Sequence, residues 1–504
     1  MTGHGVATAP ASPSGAAAPA LAYTHTDDLF IDGAWVQASG TERIDVTNPA
    51  TEEVWGSVPV ASTADLDATV TAAHRAFTSP GWRDLAPSER AAFLLRFADE
   101  IELRAVALSH LNTAENGSPI AETSKAAANA ASILRYNASL APHLEHVDVR
   151  PFADGSGAST LVRYDPIGVC ALIAPWNFPI NLVVVKLAPA LMAGCTVVIK
   201  PASPTPLSIR VIVDAAAAAG IPAGVINVIT GNGALGDALV KHPLISKVAF
   251  TGSTPVGRSI ASACGALLRP VTLELGGKSS ALVLPDVDLD AMAKVLIRTS
   301  MRNTGQTCYI STRILAPVER YDELVDMVTA TIEAAPQGDP MDAATVFGPS
   351  ASAAQRDIVR GYIRSGLAEG ARATTGGDVP SGFDRGYFVK PTVFADVMPT
   401  MRISREEIFG PVLAILPYSG LEEGLALANN TEFGLGGTVF SADVEHALAV
   451  AARVDSGSVG INFFASNHSA PFGGRHDSGL GVEYSVEGLH AYLTAQSVHF
   501  RRPA

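Results

Sequence analysis

The chain has 504 residues, too many for one hydrophobic core, so roughly two to four domains are expected. Hydrophobic residues make up 47% and charged residues 17%, the balance of a globular protein rather than a disordered one. A formal charge of −14, with Arg501-Arg502 as the only basic pair near an end, argues against nucleic acid or an anionic membrane as partner.

Residues 1–24, mostly Ala, Pro, Gly, Thr and Ser, read as a disordered tail. They lack the basic start and compact apolar core of a secretory signal. Positions 28–36 read as a strand with a turn at Asp32-Gly33. Positions 61–141 carry a helical period broken at Pro80, Pro87 and Pro119. Positions 147–166 read as a hairpin turning at 154–157. Short apolar strands then alternate with helices from 168 to 275, and a second alternation runs from 289 to about 480. Such alternation predicts parallel sheets covered on both faces, in two α/β domains. Two apolar stretches, 166–185 and 215–236, are long enough to span a bilayer. Pro166, Pro175, Pro179, Asn177 and Asn181 interrupt the first, and Gly220, Pro222 and Gly224 the second, so no span is expected.

The four cysteines, Cys170, Cys195, Cys264 and Cys308, match no metal or small-disulfide spacing, and a reduced, cytoplasmic compartment is expected. A lone cysteine is more often an inert core thiol. Cys308 differs in its company, Thr304-Gly305-Gln306-Thr307, which suits a lined site better than a core. Glu274 ends an apolar strand before Gly276-Gly277-Lys278. A buried carboxylate there has either a chemical task or a salt bridge to Lys278, and the segment alone leaves both open. Asn177, in Pro175-Trp176-Asn177-Phe178-Pro179, stands at the carboxyl end of a strand, where open α/β sheets bind ligands. Its amide can hold an oxyanion or simply make the turn before Pro179. Gly231-x-Gly233-x-x-Gly236 and Thr251-Gly252-Ser253-Thr254 each follow a strand and open a helix, as phosphate-binding turns do. Lys200 ends another strand, placed either for a nucleotide or simply in solvent.

These segments occur in one order, and together they resemble the aldehyde dehydrogenase family from about residue 27 to 500. The matching motifs are Pro175-Trp176-Asn177, Lys200-Pro201, Phe250-Thr251-Gly252-Ser253-Thr254, Glu274-Leu275-Gly276-Gly277-Lys278, Gly305-Gln306-Thr307-Cys308, Glu406 through Val412, and Pro471-Phe472-Gly473-Gly474. The resemblance implies a fold with a Rossmann-like NAD(P)-binding domain (25–146 and 167–277), an α/β catalytic domain (278–486), and a small β oligomerisation element (147–166 and 487–504). It implies Cys308 as nucleophile, Asn177 as oxyanion donor and Glu274 as the base that activates water. For the cofactor, NAD with NADP open, it implies Lys200 on the adenosine ribose, Trp176 and Ser253 near the phosphates, Gly252 for close approach, and Glu407 with Phe409 at the nicotinamide end. Ser203, Gly236, Phe250 and Leu275 complete that set, and no metal is implied.

Phe178, Leu182, Thr307, Tyr309, Phe463, Phe464 and Phe472 are expected to line the substrate tunnel, suiting a hydrophobic aliphatic or aromatic aldehyde. Arg302 and Arg475 are the nearby arginines that could recognise a substrate carboxylate. A homodimer or homotetramer follows by analogy. Transfer of the acyl group to coenzyme A is the competing reaction, and relatives that do this commonly lack the Glu at position 274. A binding or structural role without turnover is the third reading. Ser203 departs from the acid that NAD-preferring relatives often carry there, which is why NADP stays open. The Gly231–Gly236 loop is also about one residue shorter than in many relatives, and His476, Val482 and Gln496 replace common basic residues, with consequences for packing or subunit contacts rather than for the chemistry.

Overall fold

The runs Val169–Ile173, Thr196–Lys200 and Lys247–Thr251 are buried at every position, as strands covered on both faces must be. In the computed structural model, which describes residue 23 and residues 25–154, 156–377 and 380–501, they form the centre of an eight-stranded sheet. The expected tail over 1–24 lies, apart from Tyr23, outside the described residues. Val169–Ile173 pairs in parallel with both of the other runs. Ile226–Val228 and Val271–Glu274 extend the parallel core on either side. The helices Pro179–Ala193, Leu207–Ala218, Gly233–Lys241 and Thr254–Ala266 make the crossovers.

One edge of this sheet is the expected early hairpin. Asp28–Ile31 pairs with Ala34–Gln37 through a turn in which Asp32 and Gly33 have φ of 56° and 81°. The two positive values suit a tight two-residue hairpin. The other edge is Gly479–Leu480, antiparallel to Val271–Glu274. This corrects the expected contiguity of 278–486, because its last stretch returns to the first sheet. The return supplies backbone partners to a strand edge that would otherwise be open. The helix Ser485–His490 straddles the expected boundary at 486, and its Leu489 sits in the core beneath Pro179–Ala193.

A seven-stranded sheet forms the second body, in the order Arg372–Thr375, Thr392–Ala395, Val412–Tyr418, Arg313–Pro317, Ser280–Val283, Thr438–Phe440, Gly460–Ile461. The sequence pattern exposes the longer strands at its centre. It does not expose Ser280–Val283 or Thr438–Phe440, which are too short to carry a period. A further hairpin, Arg43–Thr47 with Val54–Pro59, also escapes the sequence reading. The third sheet joins distant segments: Ala158–Pro166 lies between Asp148–Pro151 and Leu493–Arg501, all antiparallel. Among the described residues no helix is long and apolar enough to cross a membrane.

Candidate active site

Asn177 and Glu274 lie at or just beyond the ends of strands, and Cys308 lies in the loop between the helix Leu289–Ser300 and the strand Arg313–Pro317. Pro175 to Phe178 link the strand Val169–Ile173 to the helix Pro179–Ala193, whose proline at the first position suits a helix start. Asn177 is 3% exposed. Its Nδ2 donates to the carbonyl of Gln306 at 3.0 Å, and its own carbonyl accepts from Asn303 Nδ2 at 3.1 Å. These two bonds tie the Asn177 turn to the Cys308 loop.

The loop is bent sharply. After the helix Leu289–Ser300, the consecutive residues Asn303, Thr304 and Gly305 have φ of 52°, 57° and 75°. Glycine is required at 305, since a Cβ there would fall 2.0 Å from the Gly410 carbonyl oxygen. The polar neighbours that drew attention to Cys308 brace this bend. Thr304 Oγ1 accepts from Gly348 N, and Gln306 Oε1 accepts from Ala351 N, both at 2.9 Å. Cys308 emerges half-buried at the end of the brace. Burial pushes its thiol up, and the Glu407 and Glu274 carboxylates push the same way. Backbone N–H groups of Cys308 and Tyr309 pull in the opposite direction.

Glu274 ends the strand Val271–Glu274 and is 3% exposed. Both of its carboxylate oxygens are buried without a hydrogen-bond partner among the described residues. Lys278, weighed as its salt-bridge partner, leaves its own Nζ unpartnered and buried, so the structure rejects that reading. Burial holds the Glu274 carboxyl well above the usual range. Glu483 adds to this, and Lys186, bridged to Glu483 at 2.6 Å, offsets it. Two glycines join this strand end to the cysteine. A Cβ on Gly277 would lie 2.4 Å from the Cys308 carbonyl oxygen, and one on Gly276 would lie 2.4 Å from Glu407 Oε2. Gly277 N donates to Glu407 Oε1 at 3.1 Å, while burial raises that carboxyl to about 7.

Lys200 is 6% exposed, and burial lowers its ammonium to about 8. Its stem lies 3.6 Å from the position a Cβ would take on Gly236, and Ser203 Oγ donates to the Gly231 carbonyl at 3.1 Å. These residues therefore meet. The two candidate phosphate turns differ. Asn232 caps the helix Gly233–Lys241 by accepting from Ala234 N and Leu235 N, so its own side chain occupies that helix start. Ser253 caps Thr254–Ala266 without a side-chain hydrogen bond, leaving the first N–H groups open. Gly252 sits over the Phe250 ring, 2.3 Å from Cζ if a Cβ were added, and Leu275 packs against Gly257 in that same helix. Trp176 meets Phe409, which has a φ of 56°, edge to face at 5.3 Å. An open helix start, a buried lysine whose one hydrogen bond is a 3.4 Å contact to the Pro201 carbonyl, and glycine-lined walls fit a dinucleotide.

The aromatic residues expected in the tunnel come together in part. Tyr309 stacks on Phe464 at 4.7 Å and meets Phe472 edge-on at 6.2 Å. Phe463, 59% exposed, joins Phe464 and Phe472 around a surface cavity of about 250 Å³. Two other expected lining residues do not join this aromatic group. Leu182 packs against the first core, and Thr307 is 3% exposed with its hydroxyl donating to the Arg302 carbonyl. Other residues that the sequence reading did not name lie close by. Tyr484 meets Phe472 edge-on at 6.0 Å. Beside Phe178 lies a second, narrow cavity, with room for about one water, lined by Asn129, Asn181, Glu122 and Arg302. Asn181 Oδ1 is buried there without a hydrogen-bond partner among the described residues. The signal for Asn181 was a polar side chain in the first turn of an otherwise apolar helix that begins beside Asn177.

A family model described as the aldehyde dehydrogenase family matches residues 35–498. A geranial dehydrogenase of Castellaniella defragrans is 50% identical over 472 residues, covering 94% of this chain and 98% of the relative. A 3-succinoylsemialdehyde-pyridine dehydrogenase of a Pseudomonas species is 38% identical, with 94% and 98% covered. Among solved structures, an aldehyde dehydrogenase of Mycobacterium tuberculosis complexed with NAD+ matches with a TM-score of 0.91 at 42% identity, covering 94% of this chain and 97% of that one. Aldehyde dehydrogenase C of Pseudomonas syringae, a cysteine-to-alanine mutant complexed with NAD+ and octanal, matches with a TM-score of 0.90 at 38% identity, covering 94% and 96%.

Proposed function

This chain belongs to the aldehyde dehydrogenase family, and from that premise we propose that it oxidises a hydrophobic aldehyde to the acid with NAD(P)+ and water, through a thioester on Cys308. The observation that carries the mechanism is the convergence of three groups. Asn177 is bonded to the Cys308 loop, and Gly277, next to the Glu274 strand end, packs on the Cys308 carbonyl. Glu274 itself is buried with no hydrogen-bond partner for its carboxylate among the described residues.

Cys308 Sγ attacks the aldehyde carbon as thiolate and forms a thiohemiacetal. The second N–H of the Asn177 amide and the backbone N–H of Cys308 hold the oxyanion. Bound NAD(P)+ supplies the hydride acceptor. Glu274 then takes a proton from water as it attacks the Cys308 thioester, releasing the acid. Lys200, Ser203 and Gly236 hold the adenosine end. Trp176, Gly252 and Ser253 hold the phosphates, with Phe250 and Leu275 as packing. Glu407 and Phe409 hold the nicotinamide end.

An aromatic tunnel mouth supports an apolar substrate, as do the geranial-oxidising relative and the octanal complex of the structural neighbour. Glu274 argues against an acyl group passed to coenzyme A. The exposed Tyr164 and Val498 on the three-stranded sheet support a homodimer or homotetramer. Four free cysteines support a cytoplasmic setting. Purified protein given NAD+ or NADP+ and a panel of aliphatic and aromatic aldehydes should reduce the cofactor without coenzyme A. No reduction with any member of the panel would reject the proposal.

A further inference from the structure

Arg302 lines the cavity beside Phe178 with its charge already engaged. Its Nε donates to Glu122 Oε2 at 2.9 Å, and a terminal nitrogen lies 2.8 Å from the same oxygen. The other terminal nitrogen donates to the hydroxyl of Tyr309, the residue after Cys308, at 2.5 Å. The guanidinium carbon lies 5.0 Å from the centre of the Phe178 ring. The pair is only partly exposed, at 21% and 24%, so water screens it weakly. Glu122 comes from a short helical turn 180 positions away in sequence and lines the same cavity.

A guanidinium beside an aldehyde site is suited to grip a substrate carboxylate, because its planar fork matches two oxygens. Here that fork faces Glu122. An incoming carboxylate would meet a neutralised pair and a like charge beside it, which disfavours binding. We infer that Glu122 is a specificity-determining residue: it withholds Arg302 and so keeps the tunnel for uncharged aldehydes. The inference rests on the aldehyde oxidation proposed above.

The test compares octanal with the ω-carboxylated aldehyde of the same chain length, by kcat/KM with NAD+. Wild type should oxidise the carboxylated substrate at least roughly tenfold less efficiently than octanal. Glu122→Gln should raise the ratio of carboxylated to neutral kcat/KM by roughly tenfold or more, mainly through a lower KM for the carboxylated substrate. Glu122→Asp, which keeps the charge, should stay closer to the wild-type ratio. In the double variant Glu122→Gln/Arg302→Gln the gain should vanish. Should Glu122→Gln fail to fold, Glu122→Ala takes its place. A wild type indifferent to the carboxylate overturns the inference. So does an unchanged ratio in the neutral variant, or a gain that survives loss of Arg302. Failure of the parent reading looks different: wild type would then oxidise neither aldehyde.

Discussion

Glu274 and Cys308 share an environment that keeps both uncharged in the free protein, yet both must lose a proton to act as proposed. Burial is the first cause for each, and each raises the other's cost of ionisation or meets a second carboxylate. Steady-state turnover should therefore rise as pH is raised above neutrality; a fall there would contradict the assignment. Glu407 adds a testable term. Raised to about 7, it is mostly neutral below that pH and charged above it, where it opposes the thiolate. Glu407→Gln should thus speed alkylation of Cys308 by iodoacetamide severalfold above pH 7 and change it little below. The same shift has a stability consequence. The folded carboxyl titrates near 7 and the unfolded one near 4.5, so the contribution of Glu407 is whole below about 4.5 and lost as pH rises through 7. Ser203 carries a prediction of its own: Ser203→Glu should lower kcat/KM with NADP+ more than with NAD+. Equal losses would show that position 203 does not face the 2′ substituent.

At the scale of elements, the bend before Cys308 and the two helix starts matter most. Three successive positive φ values are costly for Asn303 and Thr304 and persist because Thr304 and Gln306 are braced by Gly348 and Ala351. Gly305→Ala should cost about 1–3 kcal/mol or more and depress turnover, read by thermal unfolding beside kinetics. A fully stable, fully active variant would mean that the bend relaxes freely. This loop also shows what the sequence made legible. Gly305, Gln306, Cys308, Glu274 and Asn177 stood out through their neighbours, while the roles of Cys308, Glu274 and Asn177 came only from the resemblance carried by the ordered set of motifs. The roles of Thr304 and Gln306 could not be read, because a bracing hydrogen bond and a lining side chain leave the same polar letter. The glycine pattern at 231–236 likewise suggested an open helix start, but Asn232 caps it, and only geometry separates it from the start at Ser253. The tunnel lining assigned to Leu182 and Thr307 rested on nearness to the motifs alone. Proximity in sequence to a motif does not say which way a side chain turns.

Across the whole molecule, long-range contacts decided what local pattern could not. The alternation of short strands and helices exposed two α/β bodies, but not the return of Gly479–Leu480 to the first sheet. Neither did it show Glu122 reaching Arg302 from 180 positions away. The three-stranded sheet is formed by a hairpin and a strand near the end of the described chain, with Val149, Tyr164 and Val498 exposed. Deleting residues 493–504 should remove one edge of that sheet and shift the mass measured by light scattering toward a smaller assembly. An unchanged mass would place the subunit contact elsewhere.

The central claim is that Cys308 carries the acyl group between oxidation and hydrolysis. Glu274→Gln should separate these steps, since a lost general base typically slows its step by roughly 10²–10⁴-fold. Mixed once with NAD+ and octanal and quenched in acid, that variant should show a burst of reduced cofactor and one octanoyl group on the peptide containing Cys308, by mass spectrometry. Reduced cofactor with Cys308 unmodified, or with the acyl group on another residue, would contradict the account.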